Sequence, residues 1–322
     1  MSQLSPHAVG IQQITSYTIY MTKLIDLVGN TPLLKIPCKK TGVTVFAKCE
    51  WFNPSGSVKD RAAANMIKTG LDSGQAFGKT LIDATSGNTG IAYALYGASL
   101  GLNVALALPE NASEERQLIL KNYGVTLHLT SAMEGTDGAQ RFVDALVQEN
   151  KDRYFYPNQY ANDANWQAHK QGTGPEIWHQ TMGAVTHFVA GLGTTGTFIG
   201  TSRFLQTKGV HCVSVEPNNP MHGLEGWKHM ETAIVPKIYD DSVANDTMMA
   251  DTIRSYEMAK AATKYLGLFL SPSAAANLDS ALRLADELTH GVIVTVFPDN
   301  AMKYLKEPFW SDDDFNIDNP FG

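Results

Sequence analysis

Several classes of protein are excluded by what this 322-residue chain lacks. It contains no run of about 18 apolar residues, so it predicts no membrane-spanning helix. Lysine and arginine do not cluster and the formal net charge is −7, which argues against a nucleic-acid-binding surface, because such a surface needs grouped cations. The three cysteines, Cys38, Cys49 and Cys212, are widely spaced, and the nine histidines are scattered. We therefore expect neither a disulfide framework nor a metal site.

The two ends of the chain also lack a structural pattern. Residues 1–20 have no cationic start, no apolar stretch and no helical or strand periodicity, which predicts a flexible arm rather than a secretion signal. Residues 311–322, SDDDFNIDNPFG, form an acidic tail that we expect to be solvated. Because a small, odd number of cysteines is typical of a reducing compartment, we expect a cytoplasmic location.

What the chain does have is a regular alternation of short apolar runs with longer amphipathic segments. Segments such as SEERQLILKNYG (113–124) have the periodicity of helices. The apolar runs predict strands at 31–37, 43–51, 80–85, 103–109, 125–130, 154–159, 186–191, 211–217, 266–271 and 292–299. This order predicts an α/β fold with two lobes, each containing a mostly parallel, twisted sheet that is covered by helices.

Three loops rich in small residues lie where a predicted strand is followed by a predicted helix. They are NPSGSVKDR (53–61), TSGNTG (85–90) and GLGTTGT (191–197). At such junctions free backbone N–H groups and the helix dipole attract anions. In parallel sheets these loops leave the carboxyl ends of the strands, where ligands bind. We therefore expect the functional site to be built from these three loops.

The third loop allows two interpretations. Gly191, Gly193 and Gly196 match the dinucleotide pattern G-x-G-x-x-G, and Glu216 follows Gly196 by twenty residues, where an acidic residue would hold a ribose. This would make the protein an NAD-dependent oxidoreductase. The same glycines could hold a single phosphate, however, and the dinucleotide interpretation leaves the other two loops unexplained.

Lys59, in the first loop, favours the single phosphate. It lies at the first turn of a predicted helix and near Arg61, and both the helix N-terminus and the neighbouring cation disfavour its charged form. A neutral lysine amine is the nucleophile for a Schiff base with an aldehyde. Pyridoxal phosphate is an aldehyde with one phosphate, which the glycine-rich third loop would bind with help from its threonine hydroxyls.

Six segments together resemble the cysteine synthase family of pyridoxal-phosphate enzymes, which has the tryptophan-synthase β-subunit fold (fold type II). They are GNTPLLKI (29–36), NPSGSVKDR (53–61), TSGNTG (85–90), TGPEIW (173–178), FVAGLGTTGT (188–197) and KYLKEPFW (303–310), in the family's order and spacing. The resemblance implies a larger cofactor-binding domain from residues 21–46 and 151–310. It also implies a smaller, mobile substrate-binding domain from residues 47–150.

The resemblance implies a role for each matching position. Lys59 would hold the cofactor as a Schiff base and then act as general acid and base, and Asn88 would bond the cofactor's ring hydroxyl. The residues that would bind the cofactor phosphate are Gly193, Thr194, Thr195, Gly196 and Thr197. The residues that would bind the substrate are Thr85, Ser86, Gly87, Thr89 and Gln159. Ser271 would face the pyridine nitrogen, with Ser273 as the alternative, because the family's usual glycines after this serine are absent.

The implied activity is a β-replacement that makes L-cysteine. An activated serine would lose its β-substituent, giving an α-aminoacrylate to which a sulfur nucleophile adds. O-acetyl-L-serine with sulfide is the first expectation. Lys228, in a segment expected at the mouth of the site with His222 and His229, would suit O-phosphoserine if it points inward, with sulfide or a thiocarboxylated carrier protein as sulfur donor. A cystathionine β-synthase core is a further alternative.

The resemblance also implies partners. A homodimer is expected, acting on a small amino-acid substrate and a sulfur donor, with serine acetyltransferase or a sulfur-carrier protein as candidate protein partners. Composition predicts neither a nucleic acid nor a membrane as a partner. A non-catalytic family member would need to lose a key residue, whereas Lys59, Asn88 and Gln159 are all present.

Overall fold

A computed structural model describes residues 23–85, 87–312 and 318–322 of the chain. The predicted arm at 1–20 lies outside the described residues, and so do Ser86 and residues 313–317 of the predicted tail. Within the described ranges, no helix is both long enough and apolar enough to cross a bilayer.

Aliphatic and β-branched runs form the strands, and segments rich in alanine and leucine form most of the helices. In the described chain the strands are β1 (Leu33–Ile36), β2 (Val43–Cys49), β3 (Thr80–Ala84), β4 (Val104–Pro109), β5 (Thr126–Thr130), β6 (Tyr154–Phe155), β7 (His187–Gly191), β8 (His211–Pro217), β9 (Asp246–Ala250) and β10 (Gly291–Phe297). The α-helices are α1 (Lys59–Asp72), α2 (Asn88–Leu100), α3 (Glu114–Asn122), α4 (Gly135–Glu149), α5 (Asp163–Ala168), α6 (Gly174–Gln180), α7 (Gly196–Leu205), α8 (Thr252–Leu266) and α9 (Pro272–Glu287).

The larger sheet brings early and late parts of the chain together. Its strand order is β1-β2-β10-β7-β8-β9, with β1 antiparallel to β2 and the other pairs parallel. In the β2–β10 pair, Val43 lies opposite Gly291 and Cys49 lies opposite Phe297. The central strands are buried on both faces, as a parallel sheet covered by helices requires.

Helix α9 forms the centre of this lobe. Thirteen of its sixteen residues are buried, so nearly every side chain must fit between the sheet and helix α8. Alanines at 274, 275, 276 and 281 meet that need because they let the helix approach its neighbours closely. The helix begins after Ser271, whose hydroxyl accepts a hydrogen bond from Ala274 N at 3.2 Å.

The smaller sheet has the strand order β5-β4-β3-β6, and all of its pairs are parallel. Strand β4 reads VALALP and is buried at every position. Helices α1 and α2 pack together through the fully buried rings of Tyr93 and Tyr96 and through Met66 and Ile67. The two sheets, which are parallel except for β1, confirm the predicted α/β fold class.

Two strand predictions are wrong in detail, and one strand is missing from the prediction. Residues 266–271 form no strand, because the segment is a short link between α8 and α9 in which only Leu270 makes a bridge, to Asn300. The strand predicted at 154–159 is only the two residues of β6, because the chain then turns through Asn158 at a positive φ of 51°. Strand β9 was not predicted, since DTMMA has neither a polar–apolar alternation nor β-branched residues beyond one threonine.

The chain passes from one sheet to the other a few residues later than the expected domain boundaries. Strand β2 continues in the larger sheet as far as Cys49, beyond residue 46, because its backbone pairs with β10 along its whole length. Strand β6 pairs with β3 in the smaller sheet, beyond residue 150. Whether the two lobes behave as separate, mutually mobile domains stays a prediction.

Candidate active site

A cavity of about 310 Å³ lies between the two sheets, at the carboxyl ends of strands β3, β7 and β10. Such crevices are the usual ligand sites of open parallel sheets. The predicted site residues that line it are Lys59, Thr85, Gly87, Asn88, Thr89, Gln159, Gly193, Thr194, Thr195 and Thr197. Gly196 is buried and does not line the cavity, and Ser86 lies outside the described residues. The fold thus brings all three predicted loops to one cavity.

Lys59 is the first residue of helix α1 and reaches the cavity from the smaller lobe. Burial lowers the pKa of its amine below the ordinary lysine value, and the nearby Asp299 carboxylate partly offsets that effect. Within the described chain its amine has no hydrogen-bond or ion-pair partner. Lys59 is half-buried, and an unpaired amine with a lowered pKa is suited to act as a nucleophile.

The glycine-rich loop ends β7 and begins α7, so its amides include the first ones of that helix, which have no helical acceptor. Thr195 adopts a left-handed conformation with φ of 72°, and its buried hydroxyl has no hydrogen-bond partner. The hydroxyl of Thr194 accepts from Asn165 Nδ2 at 3.2 Å, and that of Thr197 lies 3.3 Å from His169 Nε2. Of the three threonines in this loop, Thr195 is therefore the one whose hydroxyl has no hydrogen-bond partner among the described residues.

Two glycines in this loop are required by close packing. A Cβ on Gly193 would lie 2.1 Å from the carbonyl oxygen of Gly226, and one on Gly196 would lie 2.0 Å from Asn165 Oδ1. Both distances are far below van der Waals contact, so a larger residue would displace the loop.

The predicted substrate loop follows β3 and faces Gln159. The hydroxyl of Thr89 donates to Gln159 Oε1 at 2.7 Å, and Gln159 Nε2 donates to the carbonyl oxygen of Ala84 at 3.0 Å. Gly87 N donates to the Thr85 hydroxyl at 3.3 Å. An amide nitrogen of glutamine has two hydrogens, so one of those on Gln159 remains for a ligand.

Asn88 is held by residues from the end of the larger sheet. Its Nδ2 donates to Asp299 Oδ2 at 2.8 Å, and its Oδ1 accepts from Lys303 Nζ at 2.6 Å. Tyr304 also donates to Asp299 Oδ2, at 2.8 Å, while Asp299 Oδ1 is buried without a partner. The orientation of the Asn88 amide is therefore set by a carboxylate on one side and an ammonium on the other.

The two serines considered for the ring nitrogen have different positions. Ser271 is fully buried, caps helix α9 and lies 3.2 Å from the carbonyl oxygen of Asp299. Ser273, one of the cavity-lining residues, lies 3.2 Å from Ser271 between the two hydroxyl oxygens. Which of them faces a bound ring stays a prediction. Ser273 is favoured, because it lines the cavity and Ser271 does not.

Two ion pairs join the lobes beside the cavity, at the segment that the sequence places at its mouth. Arg116 in α3 forms a two-pronged pair with Glu225, and Lys228 Nζ lies 3.3 Å from Asp137 Oδ1 in α4. Lys228 also lies over the ring of Tyr160, at 5.2 Å from the centroid. His222 and His229 line the cavity as well, and burial lowers the pKa of His222.

The sequence interpretation missed the residues that come from the loop after β10 and from α3. A signal for the first group was available, because Asp299 ends the predicted strand 292–299 and NAMKYL (300–305) directly follows it, and such positions belong to the ligand edge of a parallel sheet. The pairing of Arg116 with Glu225 had no such signal. Glu216, considered as a ribose ligand, instead accepts from Met230 N at 3.4 Å.

The residues present fit pyridoxal phosphate. The cavity combines an unpaired lysine amine, a helix N-terminus with an unpartnered threonine hydroxyl, and an oriented asparagine amide. These groups match an aldehyde, a phosphate and a ring hydroxyl, respectively. In the described residues no three His, Cys, Asp or Glu side chains are grouped so that they could hold a metal ion.

Comparison with known proteins agrees with this geometry. Residues 24–299 match the family described as "Pyridoxal-phosphate dependent enzyme". The chain is 47% identical over 305 residues to the cysteine synthase of Aquifex aeolicus, with 90% of this chain and 93% of that protein covered. It is 35% identical to the O-acetylserine-dependent cystathionine β-synthase of Bacillus subtilis, with 90% and 97% covered.

A solved structure shows the same fold. The crystal structure of cysteine synthase from Entamoeba histolytica superposes with a TM-score of 0.86 at 32% identity, and the match covers 97% of this chain and 95% of that one. An enzyme that uses pyridoxal phosphate accounts for all three loops, which the NAD-dependent alternative did not. The fold, the residues of the cavity and the sequence matches agree with one another. The chain belongs to the cysteine synthase family of pyridoxal-phosphate-dependent enzymes.

Proposed function

We propose that this enzyme makes L-cysteine by β-replacement, from O-acetyl-L-serine and sulfide. The observation that carries the proposal is the unpaired Lys59 amine, with its lowered pKa, in the same cavity as the glycine-rich loop and Gln159. The expected assignments are those of the sequence interpretation: Lys59 for the aldehyde, Asn88 for the ring hydroxyl and residues 193–197 for the phosphate. When bound, pyridoxal phosphate supplies an aldehyde for the lysine and a ring that makes the α-hydrogen of an amino acid acidic.

Lys59 would move the protons. Because burial favours its neutral form, its Nζ can accept the α-hydrogen of the substrate and later return it. Asp299, close enough to favour the charged form, would stabilise the ammonium that results. These two opposing effects allow the amine to be neutral and charged in turn.

The substrate carboxylate would be held at the end of β3. The amide of Gly87, the hydroxyl of Thr85 and the remaining hydrogen on Gln159 Nε2 line one side of the cavity. Charge-assisted hydrogen bonds to a carboxylate are about twice as strong as neutral ones, and they would orient the β-substituent toward the mouth. The two ion pairs between the lobes would limit the entry of water there.

The charges at the mouth support an acetyl rather than a phosphoryl leaving group. Among the described residues that line the cavity, the lysines are Lys59 and Lys228 and there is no arginine. Lys228 is already paired with Asp137, and Glu225 is paired with Arg116, so neither ion pair leaves a free cation. A phosphate dianion would therefore lack a cationic partner there, whereas a neutral ester does not need one. O-phosphoserine is therefore the second candidate.

Cystathionine formation is a third candidate, favoured by one observation. A second cavity of about 580 Å³ shares Thr136, Glu225 and Tyr304 with the first, so there is room beside the reacting centre for a nucleophile larger than sulfide. The Bacillus subtilis relative is named for this kind of reaction with O-acetylserine.

A first experiment tests Lys59. In Lys59→Ala we expect kcat to fall at least about 10²-fold, because the proton acceptor is lost. In the wild type, borohydride should bleach the yellow colour and add the mass of the cofactor to the peptide that contains Lys59. Lys68→Ala is the matched control, since Lys68 is on the same helix, exposed and paired with Asp72. Full activity in Lys59→Ala would refute the assignment.

A second experiment compares substrates with one preparation of holoenzyme. The kcat/KM values are measured for O-acetylserine and O-phosphoserine with sulfide, and for serine and O-acetylserine with homocysteine. The proposal predicts the highest value for O-acetylserine with sulfide. A higher value for O-phosphoserine would overturn the choice of leaving group, and a higher value with homocysteine would overturn the choice of sulfur donor.

The predicted homodimer and the cytoplasmic location stay predictions, as do serine acetyltransferase and a sulfur-carrier protein as partners. A sedimentation measurement on the purified protein tests the dimer directly. A mass near twice 35.1 kDa is expected, and a mass near 35.1 kDa would exclude it.

A further inference from the structure

A buried carboxyl group that the proposed reaction does not use lies directly behind the substrate loop. Asp83 is in β3, two residues before Thr85, and its side chain has no exposed surface. Its Oδ2 accepts hydrogen bonds from Tyr93 OH at 2.9 Å and from Gln159 N at 3.2 Å. Its Oδ1 accepts from Ala84 N at 2.8 Å. One carboxyl group thus bonds the backbones on both sides of the site, at Ala84 and at Gln159.

The position of Gln159 depends on such anchoring. The preceding residue, Asn158, has a positive φ of 51°, a conformation that costs free energy unless the surroundings impose it. The Gln159 carbonyl oxygen accepts from Asn165 Nδ2 at 2.7 Å, and its side chain bonds Ala84 O and Thr89. Asp83 supplies the remaining anchor, on the Gln159 backbone nitrogen.

We propose that Asp83 is a positioning residue that holds Gln159 against the end of β3, so that the free hydrogen of Gln159 Nε2 points at the substrate's α-carboxylate. This inference rests on the proposed function, because it concerns the carboxylate site of that reaction. Asp83 would act only through Gln159 and the Ala84–Thr85 backbone. It would therefore affect how tightly an amino acid binds and leave the proton transfers of Lys59 unchanged.

The surroundings of Asp83 make this anchoring sensitive to pH. Burial raises the pKa of Asp83 to about 7, and the hydrogen bonds from Tyr93, Ala84 and Gln159 partly offset that rise. The charged and titratable groups that face it are Tyr93 from α2, Asp144 from α4, and Tyr156 and Tyr160 from the segment after β6.

The direction of the pH effect follows from these neighbours. Asp144 adds to the rise in the Asp83 pKa, while the pKa values of the three tyrosines lie above their usual range, so those side chains stay neutral. As pH rises through about 7, Asp83 ionises and accepts more strongly from Gln159 N. KM for the amino-acid substrate should therefore fall over that interval.

Asp83→Asn tests the proposal, because asparagine keeps the shape but must direct an N–H at one of the backbone N–H groups. We expect KM for O-acetylserine to rise about tenfold, since one anchoring hydrogen bond is lost. We expect kcat and KM for sulfide to change less than about twofold, the range of a bystander residue. The visible absorbance of bound cofactor should not change, and the fall of KM with pH should disappear.

A second variant keeps the carboxyl group. Tyr93→Phe removes a hydrogen bond that lowers the pKa of Asp83, so the midpoint of the KM–pH profile should move to higher pH. The proposal is overturned if Asp83→Asn leaves KM and its pH dependence unchanged, or lowers kcat and raises both KM values together. If Asp83→Asn does not fold, an unmoved midpoint in Tyr93→Phe overturns it alone.

Binding of L-serine separates this proposal from the proposed function. L-serine has the same α-carboxylate, and its dissociation constant is read from the change in cofactor absorbance without any turnover. Weaker L-serine binding in Asp83→Asn supports the positioning role even if O-acetylserine proves to be the wrong substrate. Unchanged L-serine binding in that variant refutes the role while leaving the proposed function intact.

Discussion

The buried ion pairs beneath helix α1 allow a sharp prediction about stability. Arg61, 4% exposed, pairs with Glu50 at 2.7 Å and with Glu176 at 2.7 Å, and Lys48 pairs with Glu176 at 2.7 Å. Two cations thus balance two carboxylates. Glu50 and Lys48 have no exposed side-chain surface, so water cannot replace a lost partner.

Arg61→Met would remove one cation and leave Glu50 buried beside fewer donors. Removing one partner of a buried pair typically costs about 3–5 kcal/mol. Thr31 and Asn53 still donate to Glu50, at 2.7 and 2.8 Å, so we expect the lower end, about 3 kcal/mol. The pKa of Arg61 lies above its usual range because of these carboxylates, and the variant should be less stable throughout the neutral range.

The assay is urea unfolding of the holoenzyme, followed by circular dichroism. The double variant Glu50→Gln/Arg61→Met removes the stranded charge, and it should be more stable than Arg61→Met alone by about 1–3 kcal/mol. Lys68→Met, which breaks an exposed pair on the same helix, is the control and should cost less than about 1 kcal/mol. The reasoning is refuted if Arg61→Met lowers the free energy of unfolding no more than this control does, or if the double variant is no more stable than Arg61→Met.

Three further predictions concern side-chain packing, helix capping and stability at low pH. In Gly70→Ala the new Cβ would lie 2.2 Å from Phe155 Cζ, so thermal unfolding should show a loss of about 1–3 kcal/mol, and an unchanged melting temperature would contradict the packing argument. Asp251→Ala removes the N-cap of α8, which accepts from Arg254 N at 2.9 Å, and should cost about 1 kcal/mol in urea, whereas Asp251→Asn should cost less. The pKa of Glu176 is lowered from 4.5 to about 2, so its stabilisation is present above pH 4.5 and is lost as pH falls toward 2. The free energy of unfolding should therefore depend less steeply on pH over that interval in Glu176→Gln than in the wild type. Equal slopes in the two proteins would refute this role of Glu176.

Much of the architecture could be read from local patterns. Buried parallel strands such as β4 are uniformly apolar, and their period and length differ from those of the helices between them. Where patterning was weak the prediction was wrong, as at β9 and at the link that precedes α9. A parallel sheet places the carboxyl ends of its strands at one edge, so three loops far apart in sequence could be assigned to one site from the sequence alone.

Which side chains from distant parts of the chain meet was decided only by the tertiary structure. Asn88 is held by Asp299 and Lys303, and Gln159 by Asp83, over separations for which no periodicity exists. Lys59 was recognised from its position at a helix N-terminus, but the burial and the Asp299 carboxylate that set its pKa arise from packing. Local backbone preferences act over a few residues and are written in the sequence, whereas burial and electrostatic pairing depend on which strands become neighbours, and that is known only once the sheets have formed.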